Sequence, residues 1–351
     1  MKIANREIGT DQPPFIIAEL SGNHDGSLEK AIALVEAAAK AGADAIKLQT
    51  YTADTMTINC KSDDFLISDK ESLWSGYYLY DLYERAHTPW QWHETLFNRA
   101  KELGMIAFST PFDATAVDFL EKLNVPCYKI ASFENTDIPL IKKVAATGKP
   151  MIISCGMAQK EEIKEAVETA RNAGAKDICL LKCTSSYPAR IEDANLRTIN
   201  DLRESFSTHV GISDHTLGIT VPVAAVAMGA CVIEKHIVLK RGGGEVDGDF
   251  SIEPEELQQM REAVDIAWKS RGKISYGPAS AKEESSKIFR RSIYASKDIK
   301  KGEVFTTDNI RVIRPNNGLE PKYFEDIIGK KAAADLQFGT ALKHEHIDYK
   351  I

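Results

Sequence analysis

Short, uninterrupted apolar runs alternate along most of this chain with longer stretches in which apolar residues return at helical spacing. Runs of the first kind read as strands buried on both faces, and the second as amphipathic helices lying over them. Phe15 to Leu20 is the first buried strand. Ser27 then stands where an N-cap belongs, ahead of a helix from Leu28 to Ala41 that Gly42 stops. The pattern predicts further strands over Ala45 to Thr50, Met105 to Thr110, Cys127 to Ser132, Met151 to Ser154 and Ile178 to Ser185, and two more ending at His215 and His236. Helices are predicted between them: Trp90 to Leu103, Ala114 to Leu123, Ile138 to Thr147, Lys160 to Ala173, Leu196 to Ser205 and Gly218 to Gly229, with a last one from Pro254 to Ser270. Eight such units in about 270 residues match an α/β fold of the TIM-barrel type, a (β/α)8 barrel. The runner-up, a doubly wound open sheet, usually carries a glycine-rich turn after its first strand, and Gly22 and Gly26 do not make GxGxxG.

Two stretches fall outside the repeat. Tyr51 to Pro89 is too long for a plain connection, and its aromatic residues predict a loop-and-helix insertion packed over the barrel mouth. Residues 271–289, rich in Gly, Ser, Lys and Glu, read as a linker between a catalytic domain over 1–270 and a small domain over 290–351. The small domain is expected to carry strands at Ser292 to Ala295 and Ile310 to Ile313 and a helix at Pro321 to Ile327. Ile3 to Ile8 reads as an extra strand at the start.

Composition narrows the partners. The chain of 351 residues is 43% hydrophobic and 27% charged, with net charge −7. That balance argues against nucleic acid or an anionic membrane surface as a partner. No apolar run reaches the ~20 residues a membrane span needs, and the N-terminus lacks a signal-peptide core. The six cysteines (60, 127, 155, 179, 183 and 231) mostly sit in apolar runs without a CxxC pair, so they read as reduced thiols of a cytoplasmic protein.

Chemistry gathers at the strand ends, which in a parallel barrel converge on one mouth. Ser213-Asp214-His215 and Glu234-Lys235-His236 close successive strands. Two imidazoles with carboxylates nearby suit one divalent cation, although a spacing of 21 residues is no local metal motif and hydrogen-bonding histidines would look the same. The other strand ends carry Glu19, Lys47 with Gln49, Thr110, Lys129 with Ser132 and Glu134, Ser154, and Lys182 with Thr184 and Ser185. A lysine in an apolar strand is costly to bury without a counter-charge. Glu19, Glu134 and Glu234 are candidate partners, yet Lys47, Lys129, Lys182 and Lys235 outnumber them. Lysines among serines and threonines are what phosphate or carboxylate oxygens bind, so the mouth reads as a site for an anionic small molecule beside a metal. Gly242-Gly243-Gly244 lacks the Lys-Ser/Thr of a phosphate loop and reads as flexible, His344 and His346 as one exposed strand face, and Ser154 and Ser185 lack a nucleophile-elbow context.

These residues carry a resemblance. Ile17-Ala18-Glu19 with Gly22-Asn23-His24, Gly42 to Thr50, Ser109-Thr110-Pro111-Phe112, Tyr128 to Ser132, Ser213 to Thr216 and Glu234-Lys235-His236 resemble the sialic acid synthase family, in order and over nearly the whole chain. Arg314-Pro315 and Gly318 resemble that family's C-terminal antifreeze-like (SAF) domain. Gln49 to Thr57, Leu79 to Tyr83 and Glu245 to Ser251 are more similar to its pseudaminic acid branch than to its N-acetylneuraminic acid branch. The resemblance implies metal-dependent condensation of phosphoenolpyruvate with a diacetamido sugar, 2,4-diacetamido-2,4,6-trideoxy-L-altrose, releasing phosphate. It further implies Mn2+, Mg2+ or Co2+ on His215 and His236, and phosphoenolpyruvate on Lys47, Thr110, Lys129, Ser132, Ser154 and Ser213. Glu134 would act on the water or on phosphate departure, while Glu19, Gln49, Tyr187 and Asp247 would contact the sugar. Arg314 would arrive from the partner of a domain-swapped homodimer. Competing readings are an N-acetylneuraminate or legionaminate synthase, a Schiff-base aldolase using Lys129 or Lys182, and a non-catalytic binding protein.

Overall fold

Eight parallel strands close on one another in the computed structural model of the chain, which describes residues 1–349. β1 (Phe15–Glu19), β2 (Ala45–Thr50), β3 (Ile106–Pro111), β4 (Tyr128–Ile130), β5 (Met151–Ser154), β6 (Ile178–Cys183), β7 (His209–Asp214) and β8 (Val232–His236) pair in sequence order. β8 then pairs with β1, which removes both sheet edges and completes the barrel. Every residue of β1, β5 and β8 is buried, because helices cover the outer face while side chains fill the inside. β4 is shorter than the apolar run predicts: Ala131 and Ser132 leave the ladder. β7 stops at Asp214, so His215 stands just beyond its end.

The covering helices are α1 (Leu28–Lys40), α2 (His93–Glu102), α3 (Ala114–Lys122), α4 (Ile138–Ala145), α5 (Lys160–Asn172), α6 (Thr198–Phe206), α7 (Thr220–Ala227) and α8 (Pro254–Arg271). Ser27, Asp113 and Asp137 cap α1, α3 and α4 by accepting hydrogen bonds from first-turn amides, as their residue types favour. Trp90–Trp92 forms a 3-10 turn rather than the first turn of α2. Gly211 in β7 is required by a close approach: a Cβ there would meet Leu181 Cδ2 at 2.7 Å and the Val232 carbonyl closer still.

The insertion after β2 contains a short helix, Ala53–Met56, a hairpin in which Ile67 N donates to Tyr77 O at 2.9 Å, and a helix, Leu79–Ala86. At the start, the expected strand is a hairpin of Lys2–Ile3 with Arg6–Glu7.

The chain divides into two units, Met1–Gly272 and Lys273–Ile351. In the second, Ser292–Ala295 pairs antiparallel with Ile310–Ile313, and Lys331–Ala332 with Ile347–Asp348, around a core that includes Ile293, Phe305, Ile310 and Leu342. Residues 281–285 are helical where the composition reads as linker. His344–His346 is a 3-10 turn, not a strand face, and His344 Nδ1 lies 2.7 Å from Tyr349 Oη. Among the described residues no helix is long and apolar enough to cross a membrane.

Candidate active site

Alternation along each strand decides which side chains enter the barrel. In β8, Glu234 and His236 share one face and Lys235 takes the other; Glu234 lies beside Ser213 and His236 beside Glu19. Lys47 in β2, Thr110 in β3, Lys129 in β4 and Ser154 in β5 complete the inner ring of a cavity of about 310 Å³ at the carboxyl ends of the strands.

The floor of this cavity is a charge network. Lys47 pairs with Glu19, lies 3.8 Å from Glu234 Oε2 and donates to Thr110 Oγ1 at 3.0 Å. Lys129 Nζ is 3.3 Å from Glu234 Oε1, which also accepts from Ser213 Oγ at 3.0 Å. Glu234 therefore bridges the two ammonium groups. Burial works against ionisation of its carboxyl, yet Lys129 and Lys47 together hold it below the usual range. For Glu19 burial wins, with Lys47 opposing, and its carboxyl is raised. Lys47 is pushed the other way: burial disfavours its charge, but Glu19 and Glu234 outweigh that and raise it.

Glu134 stands apart from this network. It follows β4, burial pushes its carboxyl up to about 7 against the pull of Lys129, and its Oε2 is buried without a partner. A carboxyl poised near neutrality in a cleft is suited to move a proton. Ser132, two residues before it, accepts from Ser185 Oγ at 2.8 Å and packs against Gly156, where a Cβ would lie 2.5 Å from that of Ser132.

On the opposite rim the imidazole rings of His215 and His236 lie 5.3 Å apart, centroid to centroid. His215 Nδ1 donates to the Thr184 carbonyl at 2.9 Å, so whenever the ring is neutral its lone pair sits on Nε2; burial disfavours the charged ring, but Cys183 beside it outweighs that and raises the imidazole. A carbonyl-anchored imidazole is the usual state of a metal-ligating histidine. Burial, with His215 adding to it, holds His236 well below its ordinary value, and its buried Nδ1 makes no hydrogen bond. Two imidazoles so prepared fit a divalent cation. Asp247 Oδ2, held by Ser21, lies 3.8 Å from His236 Nδ1. No group of three or more His, Cys, Asp and Glu side chains forms a closed cage among the described residues; a cation held here would take its other ligands from substrate and water.

Asp247 owes its place to the loop after β1. Asn23 Nδ2 donates to Ile237 O at 2.8 Å and Ser251 Oγ at 2.9 Å, and Asn23 Oδ1 accepts from Asp247 N at 3.2 Å. Even the glycine-rich loop is tethered, with Arg85 donating to Gly244 O at 2.9 Å and Lys30 paired with Glu245. Tyr187 lies over His215, ring centroids 4.4 Å apart.

The structure thus brings Lys47, Gln49, Thr110, Lys129, Ser132 and Glu134 to one cavity, together with Ser154, Tyr187, Ser213, His215, His236 and Asp247. Glu19 is buried beneath them against Lys47 rather than lining the cavity. Arg314 is exposed in the second unit. Lys182 and Lys235 are corrected: neither enters the mouth. Lys235 donates to Asp214 Oδ2 at 2.7 Å and to the Thr216 carbonyl, and Lys182 to Cys183 O at 2.9 Å and Thr184 Oγ1 at 3.2 Å. Asp214, paired there, is no candidate ligand. The sequence offered a signal for both lysines, because each sits one residue from an inward-facing neighbour, Cys183 or His236. The same parity singles out Glu234 as the bridge. Of the insertion residues that line the cavity, Trp74 is one of the aromatics that predict an insertion over the mouth, whereas Met56 and Ile67 left no signal.

Comparison with known proteins agrees with this geometry. The NeuB family model matches residues 34–276 and the SAF domain model residues 290–348. The chain is 46% identical over 345 residues to a pseudaminic acid synthase of Campylobacter jejuni subsp. jejuni, covering 98% of each. It is 43% identical to a pseudaminic acid synthase of Helicobacter pylori, covering 96% of this chain and 98% of that one. Among solved structures, N-acetylneuraminic acid synthetase from Leptospira borgpetersenii superposes with a TM-score of 0.73 at 32% identity, over 81% of this chain and 94% of that one.

Proposed function

The chain belongs to the NeuB family and carries a C-terminal SAF domain, and from that premise we propose that it is a pseudaminic acid synthase. It condenses phosphoenolpyruvate with 2,4-diacetamido-2,4,6-trideoxy-L-altrose and water, giving the nine-carbon 2-keto acid and phosphate. The observation that carries this reading is the cavity floor: two buried ammonium groups bridged by Glu234, with hydroxyl donors around them and a neutral-pH carboxyl, Glu134, alongside. Near-full-length identity to two pseudaminic acid synthases supports the choice of sugar.

Lys47 and Lys129, with the hydroxyls of Thr110, Ser132, Ser154 and Ser213, hold the phosphate and carboxylate of phosphoenolpyruvate. Held there, its enol carbon faces the open-chain sugar carbonyl, and attack leaves positive charge on the carbon that bears phosphate. Water adds at that carbon and Glu134 takes its proton, after which the carbon–oxygen bond to phosphate breaks. The lysines stay with the departing anion, where fixed positive charge favours the leaving group. His215 and His236 would hold a divalent cation (Mn2+, Mg2+ or Co2+), whose contribution when bound is to polarise the sugar carbonyl as a Lewis acid. Gln49, Tyr187 and Asp247 are placed to meet the sugar, and Glu19 acts through Lys47. We assign a homodimer in which Arg314 is contributed by a second copy, and the free cysteines are in keeping with a cytoplasmic enzyme. The Schiff-base alternative is disfavoured by the floor itself, since Lys129 is engaged by Glu234 and Lys182 lies outside.

The test is phosphate release from phosphoenolpyruvate with a panel of acetamido sugars, with and without EDTA and Mn2+. Release confined to the 6-deoxy diacetamido altrose and abolished by EDTA is expected. Release with N-acetylmannosamine or the legionaminate precursor would move the substrate within the family, and borohydride trapping without metal would point to the aldolase.

A further inference from the structure

The cavity has two chemically different halves. Its floor is charged, whereas the wall supplied by the insertion after β2 is mostly carbon: Met56, Ile67, Trp74 and Leu79 line it, with Tyr51 and Tyr83 as its phenols. This wall is fixed in place. Ile67 sits in a hairpin through Ile67 N to Tyr77 O at 2.9 Å and Gly76 N to Ile67 O at 2.8 Å. Trp74 lies 5.5 Å from the Tyr187 ring, and its only polar atom, Nε1, is spent on the Val246 carbonyl at 2.9 Å. The indole therefore offers an occupant no free donor, and Ile67 and Met56 offer none at all.

An occupant matched to such a wall ends in methyl groups. Resting on the synthase reading above, the sugar carbonyl must meet the enol carbon near the floor, so the opposite end of the sugar chain points away from the lysines. The insertion begins beyond the end of β2, on the mouth side of Lys47 and Gln49, and is the surface that this end reaches. We propose that Ile67 and Trp74 form an apolar subsite for the terminal methyl of a 6-deoxy sugar and thereby discriminate it from the 6-hydroxy counterpart. A hydroxyl placed against Ile67, Met56 and the indole would find no side-chain hydrogen-bond donor free among them, and displacing its water there is costly. A hydrophobic pocket rejects an added hydroxyl by on the order of 100-fold.

The experiment compares kcat/KM for 2,4-diacetamido-2,4,6-trideoxy-altrose and its 6-hydroxy counterpart in the wild-type enzyme, Ile67→Asn and Ile67→Val. The wild type is expected to favour the deoxy sugar by about 100-fold, and Ile67→Asn to cut that preference by about 10-fold or more through loss on the deoxy sugar. Ile67→Val should keep the preference, and KM for phosphoenolpyruvate should stay constant throughout. Equal losses on both sugars in Ile67→Asn, with an unchanged ratio, overturn the subsite assignment alone. Failure of the wild type to turn over either sugar overturns the pseudaminic reading on which the assignment rests, and the assignment with it.

Discussion

At the scale of single residues, the chemistry turns on environments that push two carboxyls of one cavity in opposite directions. Glu234 stays charged between two lysines, while Glu134, just past the end of β4, is pushed up to about 7 by burial. Glu134→Gln is expected to lower kcat by about 10²- to 10⁴-fold while leaving KM for phosphoenolpyruvate nearly unchanged; near-wild-type turnover would remove its role. The same residue has a stability signature. Its folded pKa lies above the ordinary value of 4.5, so the protonated form is favoured by folding. That stabilisation is fully present below the unfolded pKa and is lost as pH rises through about 7. Glu134→Gln should thus melt higher than wild type at pH 8, by up to about 3 kcal/mol in stability, and the gap should narrow through pH 5 and close below pH 4.5. Equal melting temperatures at all these pH values would contradict the burial argument.

At the scale of elements, most of the barrel is legible in the sequence because continuous apolar strands and capped amphipathic helices have different periods. Ser27 and Gly42 mark the ends of α1 by residue type alone. What misleads is the treatment of a strand end as one cluster when its residues alternate between two faces. Lys235 and His236 are adjacent in sequence, yet one serves the mouth and the other a buried pair outside it. Lys235→Met should therefore destabilise the fold by about 3–5 kcal/mol, by stranding Asp214, with no change in KM for phosphoenolpyruvate in the folded protein. A raised KM with normal stability would return Lys235 to the mouth. The insertion's place over the mouth follows from its aromatic residues, but its particular tertiary partners, such as Trp74 with Val246, are far apart in sequence and follow no period.

At the scale of the whole molecule, the first unit carries every residue that lines the cavity, whereas Arg314 lies in the second unit. If Arg314 acts in a second copy's mouth, two dead variants can rescue each other. Lys129→Met mixed with Arg314→Ala after reversible dissociation should recover about a quarter of wild-type activity, because each mixed dimer then holds one intact site. No recovery would place Arg314 in its own chain's site or outside catalysis. The central claim, condensation at carbon with water adding to the phosphate-bearing carbon, has a direct isotopic test. Turnover in H2 18O with mass analysis of the released phosphate should yield phosphate free of 18O, since the carbon–oxygen bond breaks. Phosphate carrying one 18O atom would mean that water attacks phosphorus, and would contradict the mechanism built on Glu134, Lys47 and Lys129.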